Sequence, residues 1–461
     1  MKVCDRFHLT YCSNIHAGET WPEVDRALRA ALPSIRQTLA ADGPFAIGLR
    51  LSARAAEALE QPSALAAFRA FLAEGDYYVP TINGFPYGAF HGQRVKEQVY
   101  LPNWRDPARV AYTNRLATLL AAMLGDADGE GSVSTVPGAF KGHLSSVDDA
   151  RAIAGGMLEH AAHLVRLREQ TGKSIALAVE PEPACFIETT AEAVDFFTRY
   201  LFDETFVTAF ARQAGCRLTV DDVRRHVGVC FDACHMAVEF EDPAAALASL
   251  DAAGISVPKF QISSALRVSD AAVGSPGRAA LARFAEDTYL HQVVQCAHGH
   301  LDRFTDLPEA LAGGGDTGRE WRVHFHVPIF LATMGDLDTT QPYLASVIDL
   351  IKRRPAATCV EVETYTWDVL PAEYRNLDMN AAIARANWPG RARGLRPDGA
   401  LPCARLPAAG ADLQPPDGVD QRAGGGRPGR RAGGGGHAGD RLGVAVLHGR
   451  HVPERRVRRG I

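Results

Sequence analysis

Short runs of β-branched and aromatic residues alternate with longer amphipathic stretches through residues 1–388 of this 461-residue chain. Eight of these runs predict strands, over 7–12, 45–51, 77–82, 175–179, 227–231, 257–262, 321–325 and 357–362. Between them, apolar residues at helical spacing predict helices over 22–40, 53–73, 106–124 and 146–170. This alternation restricts the chain to the α/β folds.

Strands that are mostly apolar and followed by helices are typical of a parallel sheet buried on both faces. Eight such repeats favour a closed (β/α)8 TIM barrel over an open doubly wound sheet. The first predicted strand is not followed by a GxGxxG sequence, so a nicotinamide-binding fold has no support. We therefore predict one (β/α)8 barrel over residues 1–388.

The composition changes near Pro389. Residues 391–461 hold 14 arginines, 16 glycines and 7 prolines but no lysine, and a segment with so few large apolar side chains cannot offset its ordering entropy. Three interpretations compete: a basic arm that binds RNA or an anionic surface, a passive solvated tail, and the product of a shifted reading frame in a GC-rich gene. We favour the last, and predict that 389–461 is a low-complexity Gly/Arg/Pro tail, disordered or frame-shifted.

Charge and composition exclude several classes of protein. The net charge is −5, and the 35 basic residues before the tail face 48 acidic ones, so we expect no nucleic-acid partner. The chain has no run of 18 apolar residues and no secretory signal at its start. Nine scattered cysteines without a CxxC pair indicate reduced thiols. We therefore expect a cytoplasmic protein.

Polar side chains cluster where the predicted strands end, which is where (β/α)8 barrels carry their chemistry. A single Glu there is usually a helix cap, and a single His usually a structural hydrogen-bonding residue. The set is more informative, because carboxylates from several strands would share one mouth and repel each other. The strand-end residues are Tyr11, Asn14, His16, Glu19, Asn83, His91, Glu180, Glu182, Glu188, Asp232, His235, Gln261, Arg267, His324, His326, Glu361 and Glu363.

A divalent cation would remove that repulsion. Oxygen donors with few nitrogens and no required sulfur favour Mn²⁺ or Mg²⁺, and Zn²⁺ or Co²⁺ would also fit. Glu361 and Glu363 alternate with Val360 and Val362, so both glutamates either point into the barrel or lie on a half-exposed edge strand.

These residues resemble the xylose-isomerase-like TIM-barrel superfamily, which includes sugar isomerases, sugar epimerases and endonuclease IV. The resemblance rests on three spacings: Glu182 with Glu188, Asp232 with His235, and Gln261 with Arg267. In the epimerase branch the first residue of each pair binds the metal and the second contacts the substrate. A glutamate after the last strand, here Glu363, completes the metal site.

The main departure from this pattern is Gln261, which stands where the family has a histidine. His324 or His326 could supply the missing nitrogen. More narrowly, residues 9–21, 180–183, 321–328 and 362–367 look like the EboE group of metabolite-traffic proteins. Gene clusters of that group also encode a prenyltransferase-like membrane protein, which implies a membrane partner.

The resemblance implies a metal-dependent isomerase or epimerase that acts on a small polyhydroxylated metabolite through a metal-stabilised enediolate. It implies Glu182 and Glu363 as catalytic residues, and Glu182, Asp232, Gln261 and Glu363 as metal ligands. The predicted substrate-binding residues are Asn14, His16, Glu188, His235, Arg267, His324 and His326. Two alternatives remain: a non-catalytic carrier barrel that works with a membrane partner, and a nuclease like endonuclease IV, against which the acidic body counts.

Overall fold

The computed structural model of the chain describes residues 1–371 except 4–6, 41–42, 126–128, 147, 314–316, 355–358, 365 and 367–369. The predicted tail over 389–461 lies outside the described residues, so both its nature and its boundary stay predictions. In the described part of the chain, no helix is long and apolar enough to cross a membrane.

Eight parallel strands form the centre of the fold. From the second strand to the seventh, each strand pairs with the next along the chain, and the eighth lies between the seventh and the first. A parallel bridge between Cys12 and Gly48 joins the first and second strands and brings the ring together. The predicted (β/α)8 barrel is therefore confirmed. The strands are β1 (Phe7–Tyr11), β2 (Phe45–Arg50), β3 (Tyr77–Asn83), β4 (Glu130–Thr135), β5 (Ser174–Val179), β6 (Val227–Asp232), β7 (Lys259–Ile262) and β8 (Cys359–Val362).

Helices surround the barrel and cover the outer faces of its strands, which explains why β2, β6 and β7 are buried throughout. The α-helices span Trp21–Leu39, Ala53–Leu59, Pro62–Glu74, Pro107–Met123, Asp148–Thr171, Thr190–Phe196, Glu204–Ala214, Val220–His226, Ala233–Val238, Pro243–Ala252, Pro276–Leu281, Leu307–Ala312 and Gln341–Arg353. The predicted helix over 53–73 is in fact two helices. Pro62 takes the first position of the second one, where its missing N–H costs nothing.

One barrel strand was missed by the sequence analysis. β4 has the sequence Glu-Gly-Ser-Val-Ser-Thr, with Val133 as its single large apolar residue, so it has the composition of a loop. The side chains of Ser132, Ser134 and Thr135 are nevertheless buried, because they find partners within the protein. The Ser132 and Thr81 hydroxyls lie 2.9 Å apart, and Ser134 accepts a hydrogen bond from the Lys259 ammonium at 3.0 Å.

The predicted seventh barrel strand over 321–325 is wrong. Glu320–Val323 pairs antiparallel with Leu266–Val268 and Val293–Ala297 in a separate sheet. This insertion sheet is built by residues between β7 and β8, and Gln341–Arg353 then leads back to the barrel. In order, its strands are His300–Phe304, Val293–Ala297, Glu320–Val323, Leu266–Val268, Leu337–Thr339 and Thr333–Met334. The alternation of Trp321 and Val323 with polar residues shows that a strand forms but does not show which sheet it joins.

A buried ion pair lies inside the barrel. The Lys259 ammonium on β7 is 2.6 Å from a carboxylate oxygen of Glu361 on β8, and both side chains are fully shielded from solvent. Thr10 donates a hydrogen bond to the same carboxylate at 3.2 Å. Burial alone would lower the pKa of Lys259, but the adjacent Glu361 outweighs it and raises the pKa, so the lysine stays charged. Glu361 therefore points into the barrel, as one of the two sequence alternatives predicted.

Gly48 on β2 leaves the space that the Glu361 carboxylate occupies. A Cβ at this position would lie 1.3 Å from Glu361 Oε2 and 3.0 Å from the Tyr11 carbonyl oxygen. We expect Gly48→Ala to lower the free energy of unfolding by about 1–3 kcal/mol or more, because overpacking a core usually costs this much. Urea denaturation measures the loss.

The matched control is Gly155→Ala, in the helix Asp148–Thr171, where a Cβ would have no atom within 4 Å. Because alanine is the better helix former, this variant should be neutral or slightly stabilising. Equal stability of the two variants would show that the Glu361 carboxylate does not fill the space beside Gly48.

Candidate metal centre at the carboxyl ends of the strands

Three carboxylates meet around one amide at the mouth of the barrel. Glu180 directly follows β5, Asp232 ends β6, Gln261 lies on β7, and Glu363 directly follows β8. The Gln261 amide nitrogen is 2.9 Å from Glu180 Oε1 and 2.9 Å from Asp232 Oδ2, and it also contacts Glu363 Oε2. All four side chains are buried. The predicted convergence of Asp232, Gln261 and Glu363 is thus seen in the structure.

Glu180, rather than the predicted Glu182, is the fourth member of this oxygen cluster, which we define as Glu180, Asp232, Gln261 and Glu363. The Glu180-Pro-Glu182-Pro183 segment leaves the strand in extended form, so Glu182 lies two residues, or roughly 6–7 Å, further out of the barrel. The family spacing from Glu182 to Glu188 directed the sequence prediction to the outer glutamate. A signal for Glu180 was present, since it is the first residue after an apolar strand.

The oxygen cluster carries more negative charge than its surroundings neutralise. Burial, followed by the charges of Glu363 and Asp232, raises the pKa of Glu180 well above its ordinary value. Burial and Asp232 likewise raise the pKa of Glu363 to about 8. For Asp232, burial acts in the same direction, but His235, His326 and a hydrogen bond from Ser263 outweigh it and lower the pKa.

The donor set fits a hard divalent cation. A Gln amide has two N–H donors, whereas three carboxylates surround the Gln261 amide, and Glu180 Oε2 is buried without a hydrogen-bond partner among the described residues. The other amide atom, Oε1, is 3.1 Å from the Cys230 thiol. Exchanging the two amide atoms by a flip would place the Gln261 amide oxygen 2.9 Å from oxygens of Glu180 and Asp232. These two separations are near the roughly 3 Å that metal–oxygen bonds of about 2.1 Å at right angles require.

A second cluster, which we call the histidine cluster, lies beside the first and consists of Glu182, His235 and His324. The Nε2 atoms of His235 and His324 are 3.1 Å apart, and ligand atoms of all three residues lie within 4.8 Å of one another. Tyr100 donates a hydrogen bond to Glu182 at 2.7 Å. Burial and the neighbouring histidines His235 and His326 lower the pKa of His324 well below its ordinary value.

The insertion sheet delivers His324 and His326 to the site. They follow the strand Glu320–Val323, and ligand atoms of His326 lie within 4.8 Å of those of Asp232 and His235. Burial lowers the pKa of His326 to about 4, although Asp232 opposes this effect. Both histidines were predicted at the mouth, and the structure places them there, by a different element from the predicted barrel strand.

Glu180 and Glu363 of the oxygen cluster and all three residues of the histidine cluster line one cavity of about 50 Å³. A water molecule needs about 10–15 Å³ by the same kind of measure, so the space is that of roughly three to five waters. Asn14 and Asn83 donate hydrogen bonds to Glu363 Oε1 at 2.8 and 3.0 Å and fix that carboxylate. Apart from Lys96 and His326, the remaining residues that line the cavity are apolar or aromatic: Phe85, Pro86, Phe90, Val99, Tyr100, Tyr289 and Leu290.

Three predicted substrate-binding residues do not line this cavity. Glu188 is 2.5 Å from the Lys141 ammonium. Arg267 lies in the insertion sheet and pairs with Glu320 at 2.9 Å, because the six-residue spacing from Gln261 here runs into a new strand. His16 contacts the Tyr11 hydroxyl at 3.3 Å.

Two residues that contact the site side chains were missed altogether, and one of them, Tyr100, lines the cavity. Tyr100 and Gln292 hold Glu182, and Gln292 also contacts His324. Both lie in segments outside the predicted barrel strands, far along the chain from the residues they meet, and no local pattern marks them.

No protein-family profile matches the chain, and no curated protein does. Solved structures similar to it include the IolI protein with a bound zinc atom, at 14% identity over 82% of this chain and 95% of that one, with a TM-score of 0.39. A xylose-isomerase-like TIM barrel from Mycobacterium smegmatis in complex with magnesium has 13% identity over 83% and 94% of the two chains, with a TM-score of 0.41. The probable dehydratase AsbF from Bacillus anthracis has 9% identity over 83% and 97%, with a TM-score of 0.41.

Xylose-isomerase-like barrels are thus among the structures that this fold resembles. The narrower likeness to the EboE group stays a prediction.

Proposed function

We propose that this chain is a divalent-metal-dependent isomerase or epimerase that acts on a small polyhydroxylated carbonyl compound. One observation carries the proposal: Glu182 and Glu363, two buried carboxylates with raised pKa values, line the same cavity beside the oxygen cluster. Isomerisation and epimerisation of such compounds need groups that take a proton from carbon and return one, next to a site that stabilises negative charge on oxygen.

The oxygen cluster would hold the cation. Glu180, Asp232 and Glu363 supply carboxylate oxygens, and Gln261 supplies its amide oxygen after a flip. When bound, such a cation polarises a carbonyl and an adjacent hydroxyl group, which acidifies the C–H bond between them. Metal affinity in this proposal depends on ionised carboxylates, because a protonated carboxyl group is a poor ligand.

Glu182 and Glu363 are the proposed proton-transfer groups. A buried carboxylate whose pKa is raised toward neutral accepts and releases a proton more readily near pH 7 than an exposed one does. The Tyr100 hydroxyl holds Glu182, and the Asn14 and Asn83 amides hold Glu363. One glutamate would remove the proton, and the other would return it to the opposite face of the carbon.

The apolar wall of the cavity gives this chemistry a dry environment. Phe85, Phe90 and Leu290 face the cavity, and closing a substrate against them would expel water from the reacting carbon. Exclusion of water prevents side reactions of an enediolate and strengthens the electrostatic interactions that stabilise it.

Deuterium exchange tests the proposal. A panel of pentuloses, hexuloses and keto-cyclitols is incubated in D₂O with the protein and Mn²⁺, and incorporation of deuterium next to the carbonyl is measured by mass spectrometry. We expect exchange in at least one compound, a fall of about 10²–10⁴-fold in Glu182→Gln and in Glu363→Gln, and no change in Glu60→Gln, an exposed surface glutamate.

Ligand binding without exchange in any compound would overturn the enzymatic proposal. It would favour instead a carrier barrel that passes a metabolite to a membrane partner. Binding of DNA by residues 1–388 would favour the nuclease alternative.

A further inference from the structure

We infer that the histidine cluster is a second cation site, with nitrogen ligands suited to Zn²⁺, beside the oxygen cluster. The inference deepens the proposed function, since both sites would open onto the same cavity. It starts from two hydrogen bonds that determine which nitrogen of each imidazole carries the proton.

The first hydrogen bond fixes His235. Its Nδ1 is 2.9 Å from the Pro181 carbonyl oxygen, and a carbonyl oxygen can only accept. Nδ1 therefore carries the hydrogen, and in the neutral ring Nε2 carries a lone pair.

The second hydrogen bond fixes His324. Its Nδ1 is 2.7 Å from Gln292 Oε1. The orientation of the Gln292 amide is itself determined, because its Nε2 is 3.0 Å from the Pro183 carbonyl oxygen, which requires a donor. His324 therefore also donates from Nδ1 and carries its lone pair on Nε2.

The two lone pairs consequently face each other, with the Nε2 atoms 3.1 Å apart. Two acceptors at this distance repel unless a positive charge lies between them or beside them. Zn–N bonds of about 2.0–2.1 Å at tetrahedral angles give N···N separations of about 3.3 Å, close to the value seen here. Glu182, which has a ligand atom within 4.8 Å of ligand atoms of both histidines and an Oε1 that is 3.6 Å from His324 Nδ1, would supply the carboxylate ligand.

The surrounding contacts are those expected of metal-bound histidines. Such residues usually donate the other ring N–H to a carbonyl or carboxylate oxygen, which fixes the ring. His235 does this with a backbone carbonyl and His324 with a side-chain amide, and Glu182 accepts from Tyr100.

Metal stoichiometry tests the inference. Metal-free protein is titrated with Zn²⁺ by calorimetry and with Co²⁺ by visible absorption, because tetrahedral nitrogen-ligated Co²⁺ absorbs far more strongly than octahedral oxygen-ligated Co²⁺. We expect two ions per chain in the wild type. We expect one ion in His324→Ala, with loss of the strong Co²⁺ bands.

A second variant keeps both imidazoles. Gln292→Leu removes only the acceptor that fixes His324, and it should weaken the strongly absorbing site by about 10–100-fold. His226→Ala is the control, since His226 is also buried with Nδ1 on a carbonyl oxygen, of Ile175 at 2.7 Å, but lies before β6 at the other end of the barrel. It should keep both ions, and circular dichroism of every metal-free variant checks folding.

The outcomes separate this inference from the proposed function. If the wild type binds one ion without strong Co²⁺ bands and His324→Ala still binds that ion, the histidine site alone is overturned. A shared proton then joins the two rings. If the wild type binds one ion that is lost in His324→Ala but kept in Glu363→Gln, the result supports the histidine site. It also removes the oxygen cluster from the proposed function. No bound ion overturns both.

Discussion

Asp232→Asn is expected to reduce binding of Mn²⁺ or Mg²⁺ by more than roughly 100-fold, because even partners behind the metal ligands contribute 10–100-fold in known sites. Asp232 is the one member of the oxygen cluster whose pKa is lowered, because its interactions with His235 and His326 and the hydrogen bond from Ser263 outweigh its burial. It is therefore the carboxylate that is ionised before a cation arrives. Binding is measured by calorimetry on metal-free protein.

Asparagine is chosen because Asp232 also caps the helix Ala233–Val238. Its Oδ1 accepts hydrogen bonds from the backbone N–H groups of Cys234 and His235 at 2.7 and 3.0 Å, and the amide oxygen of asparagine can keep them. Asp242→Asn is the matched control, because Asp242 caps the helix Pro243–Ala252 in the same way. Metal binding that survives in Asp232→Asn would exclude Asp232 as a ligand.

Lys259→Met is expected to lower the free energy of unfolding by about 3–5 kcal/mol, which is the usual cost of leaving a buried charge without its partner. The variant leaves the Glu361 carboxylate buried inside the barrel with only the Thr10 hydroxyl to donate to it among the described contacts. Urea denaturation followed by circular dichroism measures the loss.

The double variant Lys259→Met with Glu361→Gln should recover much of this stability, since replacing both members of a buried pair is often nearly neutral. Arg199→Ala breaks an exposed pair with Asp195 at 2.6 Å and serves as the control, with little change expected. If Lys259→Met is as stable as Arg199→Ala, the buried Glu361 carboxylate does not carry a charge that Lys259 has to neutralise.

The barrel could be predicted from the sequence because most of its strands are buried on both faces and are therefore apolar throughout. β4 escaped prediction because its serines and threonine hydrogen-bond to other barrel residues, and such pairing is invisible until the strands are assembled. The strand Glu320–Val323 was assigned to the barrel because local alternation reports a strand but not its neighbours. Sheet membership is decided by contacts that are distant along the chain.

Most of the oxygen cluster could be predicted for a related reason. Parallel strands bring their carboxyl ends to one mouth, so topology grouped Asp232 and Gln261 with the glutamates of the last strand. The family resemblance then selected Glu363. The choice between Glu180 and Glu182 depends on how far the chain has left the sheet, which spacing does not show. Gln292 could not be found, because its role depends on how the insertion sheet lies against the barrel.

The position of β8 has a consequence for synthesis of the chain. β8 fills the gap between β1 and β7, so that Thr10 meets Glu361 across 351 positions of sequence. Until residues 359–362 have left the ribosome, the facing edges of β1 and β7 have unpaired backbone groups that could join another chain. Glu363 directly follows β8. The chain therefore acquires the last carboxylate of the site at the same time as β8 pairs with the open edges of β1 and β7. An incomplete chain then both lacks a site carboxylate and is prone to aggregate, which makes β8 a place where quality control could distinguish finished molecules from unfinished ones.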